Sequence, residues 1–350
     1  LLLAIQHDDA PDLCKFLLDK YTTQINIGHK NKDGNTALLL AVQSTKSSIL
    51  SKLLFNTFNN QINIHDKNND GNTALLLAIK NSYNSLDPMK LILDKYSDVI
   101  DINYTNNKGL TAVLIGVQYF NALNPLSLLF SIYKEQIDIN HKDHIGNTAL
   151  TMALQHCFVF DIAVLLFENF GQVIDINSVN NDGSTPLLLA IQRGIASDIV
   201  PLILQHCGDK ININYKDKSG NTAFLHAVSH IYTPSIAKLL IDKYHTQIDI
   251  NHTNNSGNTA LLLAFKHPHY LLDLVPLLVN SYGKQINIHY SNNDENALFL
   301  SIKLYAKYRN NEVNILKILL ETYNDIVDLN IQDDDDNTVI LFAIKNQVEP

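Results

Sequence analysis

Tryptophan is absent from this 350-residue chain, arginine is reduced to Arg193 and Arg309, and cysteine to Cys14, Cys157 and Cys207. So few arginines argue against phosphate recognition by guanidinium forks. Three scattered cysteines make neither a disulfide framework nor a ligand cluster, which favours a reducing, cytoplasmic setting. Positive charge is also short: 26 Lys and Arg face 35 Asp and Glu, a formal net charge of −9. Nucleic acid and anionic membranes both demand a basic footprint, so neither is expected as the main partner. No apolar run approaches the ~18 residues of a membrane span. The longest are short and recur, as at Leu38-Leu39-Leu40-Ala41-Val42. A Gly-rich phosphate loop, a metal-spaced Cys cluster and a nucleophile elbow are all missing, so neither catalysis nor any cofactor or metal is expected.

What is present is apolar material, 46% of the chain, distributed with a strict period. The string from Asp33 to Ala41 returns almost unchanged from Asp70 to Ala78, and its glycine recurs at positions 34, 71, 109, 146, 183, 220 and 257, 37 or 38 residues apart. Degenerate copies follow around Asn296-Ala297-Leu298 and Asn337-Thr338-Val339, and Leu1-Leu2-Leu3-Ala4 opens the chain inside a copy. A period of this size marks a supersecondary unit that cannot bury its own apolar face and must stack on its neighbours.

Each part of the unit has a local cause. The glycine suits a turn with positive φ. Thr36, Thr73, Thr111, Thr148, Thr185, Thr222 and Thr259 fall where a helix N-cap belongs, and Pro186 takes a favoured first helical position. Residues such as Leu38, Ala41 and Val42 form the buried face of a short first helix. After a variable polar loop, a second helix carries apolar pairs such as Ile49, Leu50, Leu53 and Leu54. It ends on an aromatic at Tyr21, Phe58, Tyr96, Tyr133, Phe170, Tyr244, Tyr282 and Tyr323, with Cys207 as the exception. Four residues later an alternating run such as Ile137-Asp138-Ile139-Asn140 reads as an extended arm leading into the next turn.

The runs Asp143-His144-Ile145-Gly146-Asn147-Thr148-Ala149-Leu150 and Gly183-Ser184-Thr185-Pro186-Leu187 resemble the ankyrin repeat, and its Asn before the turn falls on Asn103, Asn140, Asn177, Asn214, Asn251 and Asn330. The resemblance covers essentially the whole chain. It implies an all-α ankyrin-repeat solenoid of helix–loop–helix pairs with projecting β-hairpin-like fingers. Over residues 1–350 it implies a single array of nine helix pairs and a final first helix, expected to be a fragment of something longer. Three departures stand out. Leu39, Leu76, Leu114, Thr151, Leu188, Leu225 and Leu262 replace the family's histidine, the glycine between the helices is mostly missing, and the period exceeds the family's usual 33. About four extra residues per unit predict a second helix one turn longer, its terminal aromatic filling the added seam.

Binding candidates are positions that vary within the fixed frame. Five residues before each turn glycine, or its equivalent, stand His29, Asp66, Tyr104, His141, Ser178, Tyr215, His252 and Tyr290. Such rings suit either a partner surface or packing between neighbouring fingers. Ile145, beside His144 at a finger tip, is harder to explain by packing. A column closing the first helices holds Gln6, Gln43, Lys80, Gln118, Gln155, Gln192, Lys266 and Lys345, which reads as backbone-binding amides or as a solvated stripe. Loop residues Tyr119, Phe120, Phe158, Tyr232 and Tyr270 read as rim contacts or loop self-packing. Weaker candidates are the His156-Cys157 and His206-Cys207 pairs for catalysis and His267-Pro268-His269 for a metal. In Asp-Ile-Asn contexts, Asn103, Asn140 and Asn251 resemble hydroxylation sites or simply brace the fingers.

The expected function is a monomeric protein–protein interaction scaffold that holds a protein partner by finger tips and concave face. Tyr104, His141, His144, Ile145, Tyr215, His252 and Tyr290 would join Gln118, Gln155 and Gln192 there. The alternative is the recognition arm of a larger enzyme or ubiquitin-ligase adaptor. The Lys-, Asn- and Ile-rich composition suits an AT-rich genome of the kind found in host-associated microbes and viruses, where such arrays act as effectors.

Overall fold

The computed structural model describes every residue except 7–9, 59, 120–122, 156–158, 230–233, 267–270, 293–294, 308–314, 334 and 347–350. His156, Cys157, Phe158, Phe120, Tyr232, Tyr270 and the His267-Pro268-His269 string therefore lie outside the described residues. The fold is an all-α stack of repeats, and its contacts divide it into two compact units, Leu1–Asn181 and Asp182–Pro350.

In the first unit, short helices α1 (Leu2–Gln6), α3 (Ala37–Ala41), α5 (Ala74–Lys80), α7 (Ala112–Gln118) and α9 (Ala149–Ala153) alternate with longer ones. These are α2 (Ala10–Tyr21), α4 (Ser47–Phe58), α6 (Asp87–Tyr96), α8 (Leu123–Tyr133) and α10 (Val159–Phe170). Short helix packs on short helix from α1 through α9, and α4 packs between α2 and α6. The second unit repeats the scheme. Its first helices are α11 (Pro186–Gln192), α13 (Ala223–Ser229), α15 (Ala260–Phe265), α17 (Ala297–Lys307), drawn out to 11 residues, and α19 (Val339–Lys345); its second helices are α12 (Ala196–Cys207), α14 (Pro234–Tyr244), α16 (Leu271–Tyr282) and α18 (Ile315–Thr322). Short helices of five residues nucleate poorly alone, so their stability is tertiary. Leu39, Leu76, Leu114, Leu188, Leu225 and Leu262 are all at most 2% exposed between neighbours.

Local chemistry sets the helix starts. Thr36, Thr73, Thr111, Thr148, Thr185, Thr259 and Thr338 are N-caps, each accepting from the backbone N–H three residues on. Thr151, where the family carries histidine, completes a reciprocal cap: its hydroxyl accepts from Thr148 N at 2.8 Å. Pro186 sits in the first turn of α11. Of the residues expected to be buried on α4, Leu50 and Leu54 are, whereas Ile49 is 50% exposed. The helix shows that residue to solvent, one position off the buried stripe.

The terminal aromatics tie successive second helices together. Tyr133 donates from its hydroxyl to Ser97 O at 3.0 Å, Tyr244 to Gly208 O at 2.6 Å and Tyr323 to Gly283 O at 2.8 Å. Phe130 meets Phe170 edge-on at 4.8 Å. These rings fill the seam between one longer helix and the next.

Candidate functional site

The fingers begin with an Asn or Asp whose side chain folds the backbone over itself. Asn106 Oδ1 accepts from Lys108 N and Leu110 N, both at 3.0 Å, while Asn106 N donates to Leu110 O at 3.1 Å. Asp143 and Asp217 do the same in their own fingers. The reversal needs positive φ, met by Gly109 at 74°. In the last copy Asp336 stands there at 58°, a strained substitute for glycine. Among the described residues three fingers approach β geometry: strand β1 (Ser291–Asn292) pairs antiparallel with β2 (Glu295–Asn296), Lys67 bridges Thr73, and Gln332 bridges Thr338.

Adjacent fingers are laced by backbone and amide bonds. Asn107 N donates to Asp70 O at 3.0 Å and Asn107 Nδ2 to Asn69 O at 2.8 Å; Asn255 makes the same pair with Ser219 and Lys218. His144 occupies the equivalent place in its finger. Its N–H reaches Lys108 O at 3.3 Å while the ring lies against Gly109, so close that a Cβ there would sit 2.7 Å from His144 Cδ2.

The ring column lies inside this lacing. Tyr104 donates to Gly71 O at 2.9 Å, His141 Nε2 to Gly109 O at 3.0 Å, His252 Nε2 to Gly220 O at 2.8 Å and Tyr290 to Gly257 O at 2.9 Å. All four are half-buried, as is Tyr215, and each bonded ring reaches the turn carbonyl of the preceding finger. Their polar atoms are thus engaged within the stack. His29 is exposed, Asp66 lies 3.5 Å from Lys30, and Ser178 is buried.

The amide column divides. Gln43 and Gln155 reach back eight residues to Asn35 Oδ1 at 3.4 Å and Asn147 Oδ1 at 3.1 Å, as Lys266 does to Asn258 Oδ1 at 2.9 Å. Gln118 is exposed. Gln192 instead joins a cluster that sequence reading passed over. His226 Nε2 donates to Asp217 Oδ2 at 2.7 Å, and the Gln192 amide lies 3.0 Å from the same ring nitrogen. His226 stands in a column otherwise occupied by Leu40, Leu77, Ile115, Met152, Leu189 and Leu263, and that polar intrusion was the signal available.

On the opposite border of the fingers, the arm asparagines clamp the next repeat. Asn103 Nδ2 donates to Gln136 O at 2.7 Å and its Oδ1 accepts from Asp138 N at 2.9 Å. Asn140 and Asn251 make the corresponding pairs. Ile145, at its finger tip, is 62% exposed.

Burial pushes the thiols of Cys14 and Cys207 above their ordinary range, away from thiolate chemistry. Among the described residues no group of three or more His, Cys, Asp or Glu could hold a metal ion. No helix there is long and apolar enough to cross a membrane.

A family model described as ankyrin repeats matches three times, over residues 1–106, 117–217 and 196–290. Among solved structures, the ankyrin-repeat domain of Bcl-3, described as a unique member of the IkappaB protein family, is 24% identical, with a TM-score of 0.49, covering 66% of this chain and 95% of that one. No curated protein matches the chain.

Proposed function

Because the chain belongs to the ankyrin-repeat family, whose repeats generally serve as protein–protein interaction modules, we propose that it is a non-catalytic scaffold. It holds a protein partner on the face made by finger tips and first-helix ends. The observation that carries this reading is Ile145. An aliphatic side chain left 62% exposed on a finger tip gains nothing from the fold, while the fingers beside it end in Lys, Asn and Asp. In the first unit the half-buried rings of Tyr104 and His141 border such a partner, and Tyr215, His252 and Tyr290 form the corresponding column of the second unit. Where hydrogen bonds hold them, they arrive already ordered, which lowers the entropy lost on binding. Gln118, Gln155, Gln192 and His144 supply polar contacts around them. The buried thiols of Cys14 and Cys207, neither of them in a disulfide, suit a reducing cytoplasmic setting.

The test is affinity capture from lysate with quantitative mass spectrometry, comparing the wild type with Ile145→Asp and with Ile132→Asp. Ile132 is 40% exposed on α8, away from the fingers, and serves as the control. Specific partners should fall at least about tenfold with Ile145→Asp and persist with Ile132→Asp. Equal retention by both variants would refute the assigned face.

A further inference from the structure

One arm seam in the first unit differs from those that follow it. At the third and fourth arms, Asn103 and Asn140 each clamp the next arm with two hydrogen bonds. One repeat earlier the same place holds His65, exposed, with its backbone N–H on Asn63 Oδ1 at 3.1 Å and, among the described residues, no hydrogen bond from its ring. A crevice of about 80 Å³ opens there, lined by Ile64, Leu75, Ile100 and Ile102, with exposed His65 and Asp101 among its walls. That is roughly half the ~150 Å³ that admits a benzene ring, which suits a branched aliphatic group.

Charge beside the crevice is ordered. Asp101, Asp138 and Asp175 follow one another arm by arm, all exposed. Each commits its Oδ1 to the N–H of Asn103, Asn140 or Asn177 in its own arm. The Asn clamps hold Asp138 and Asp175 in register with the arm before. None of the three enters an ion pair among the described residues.

We propose that this crevice docks an extended, basic segment of a partner protein, one aliphatic side chain entering between the arms and its lysines or arginines meeting Asp101, Asp138 and Asp175. With repeats packed ~8–10 Å apart and a polyproline-II-like extended chain turning once every three residues at ~3.1 Å rise, cations at every third position fall on one side and match the row. The crevice opens at the arms and shares Tyr104 with the finger-tip face, so the two are told apart by Ile145→Asp, which leaves the crevice lining intact.

The probe is a fluorescein-labelled peptide with one leucine followed by lysine at every third position in a Ser/Gly background, titrated with the full chain by anisotropy. Saturable binding is expected. It should weaken about tenfold or more when the probe's leucine becomes serine, and further with added salt. In the protein, His65→Asn restores the clamp, its amide reaching Val99 O and Asp101 N, so thermal stability rises while probe affinity falls at least about tenfold. Asp138→Asn, which keeps the acceptor for Asn140 N, weakens the probe without moving the melting temperature. The proposal is overturned by absence of saturable binding, by indifference to the probe's leucine, or by full affinity in either variant.

Discussion

Tyr244 and Tyr282 close α14 and α16 at equivalent places, each 3% exposed, yet their hydroxyls differ. The Tyr244 hydroxyl donates to Gly208 O at 2.6 Å. That of Tyr282 is buried without a hydrogen-bond partner among the described residues, its ring stacked on His245 at 4.7 Å and 2°. Exchange for phenylalanine keeps each ring and removes one oxygen. At position 244 the loss removes the shorter of two donors on Gly208 O, leaving Ile211 N at 3.4 Å, which costs about 1 kcal/mol. At position 282 it removes a hydroxyl desolvated without return, a burden of ~1–3 kcal/mol in proteins. Tyr244→Phe should therefore destabilise and Tyr282→Phe should stabilise by on the order of 1 kcal/mol. Urea unfolding of the full chain, followed by far-UV circular dichroism, reads the difference as midpoints moving in opposite directions at constant slope. Tyr133→Phe and Tyr323→Phe should follow Tyr244→Phe. A midpoint for Tyr282→Phe as low as that for Tyr244→Phe would show the hydroxyl to be satisfied and the reasoning wrong.

Two further outcomes follow from the same seams and turns. Burial pushes the phenols of Tyr244, Tyr282 and Tyr323 up to about 12, with the Asp209 and Cys207 charges adding to the rise at Tyr244. The native state thus holds protons that the unfolded chain releases near pH ~10. Their contribution is complete below that pH and lost as pH climbs through ~12. Phenolate absorbance and circular dichroism recorded together should show the last tyrosines ionising as helix is lost; full ionisation near pH ~10 with helix intact contradicts this. Among the turns, Gly71 has φ of 80°, and a Cβ there would lie 2.5 Å from Asn107 Oδ1 and 2.9 Å from Asn107 N, whereas Gly194, at φ 70°, has nothing within 4 Å. Gly194→Ala should cost ~1–2 kcal/mol from backbone strain alone, and Gly71→Ala clearly more, as read by thermal melting; equal losses would mean that finger lacing adds nothing.

Features governed by neighbours in sequence were legible before any coordinates. A threonine cap acts over three residues and a turn glycine over four, so Thr36 or Gly34 announces its role from local chemistry alone. The apolar column at Leu39 and its equivalents was equally plain, since a repeat that buries nothing alone must bury that column against the next. Partners one repeat away were a different matter. That Tyr323 meets Gly283 O, 40 residues earlier, depends on the length of the loop between, which varies. The period announces that repeats touch, and the stacking offset decides which atoms do.

The same offset decides how the candidate site must be read. A column of rings five residues before the turn has the composition of a recognition surface, and nothing in one repeat's residues distinguishes that from a brace. Stacked, Tyr104, His141, His252 and Tyr290 each meet the turn carbonyl of the finger before them, a group that β-bonding leaves unpaired at the bend. A tyrosine hydroxyl and a histidine Nε2 reach the same carbonyl, so the column tolerates both side chains for one structural reason. Its ring chemistry therefore says little about a partner. Information about a partner lies instead where a residue defeats the stack's own chemistry. Ile145 leaves a tip aliphatic, His65 leaves an arm unclamped, and His226 puts an imidazole among leucines. None of these three side chains is what stacking alone asks for at its position, and a binding role makes such departures intelligible.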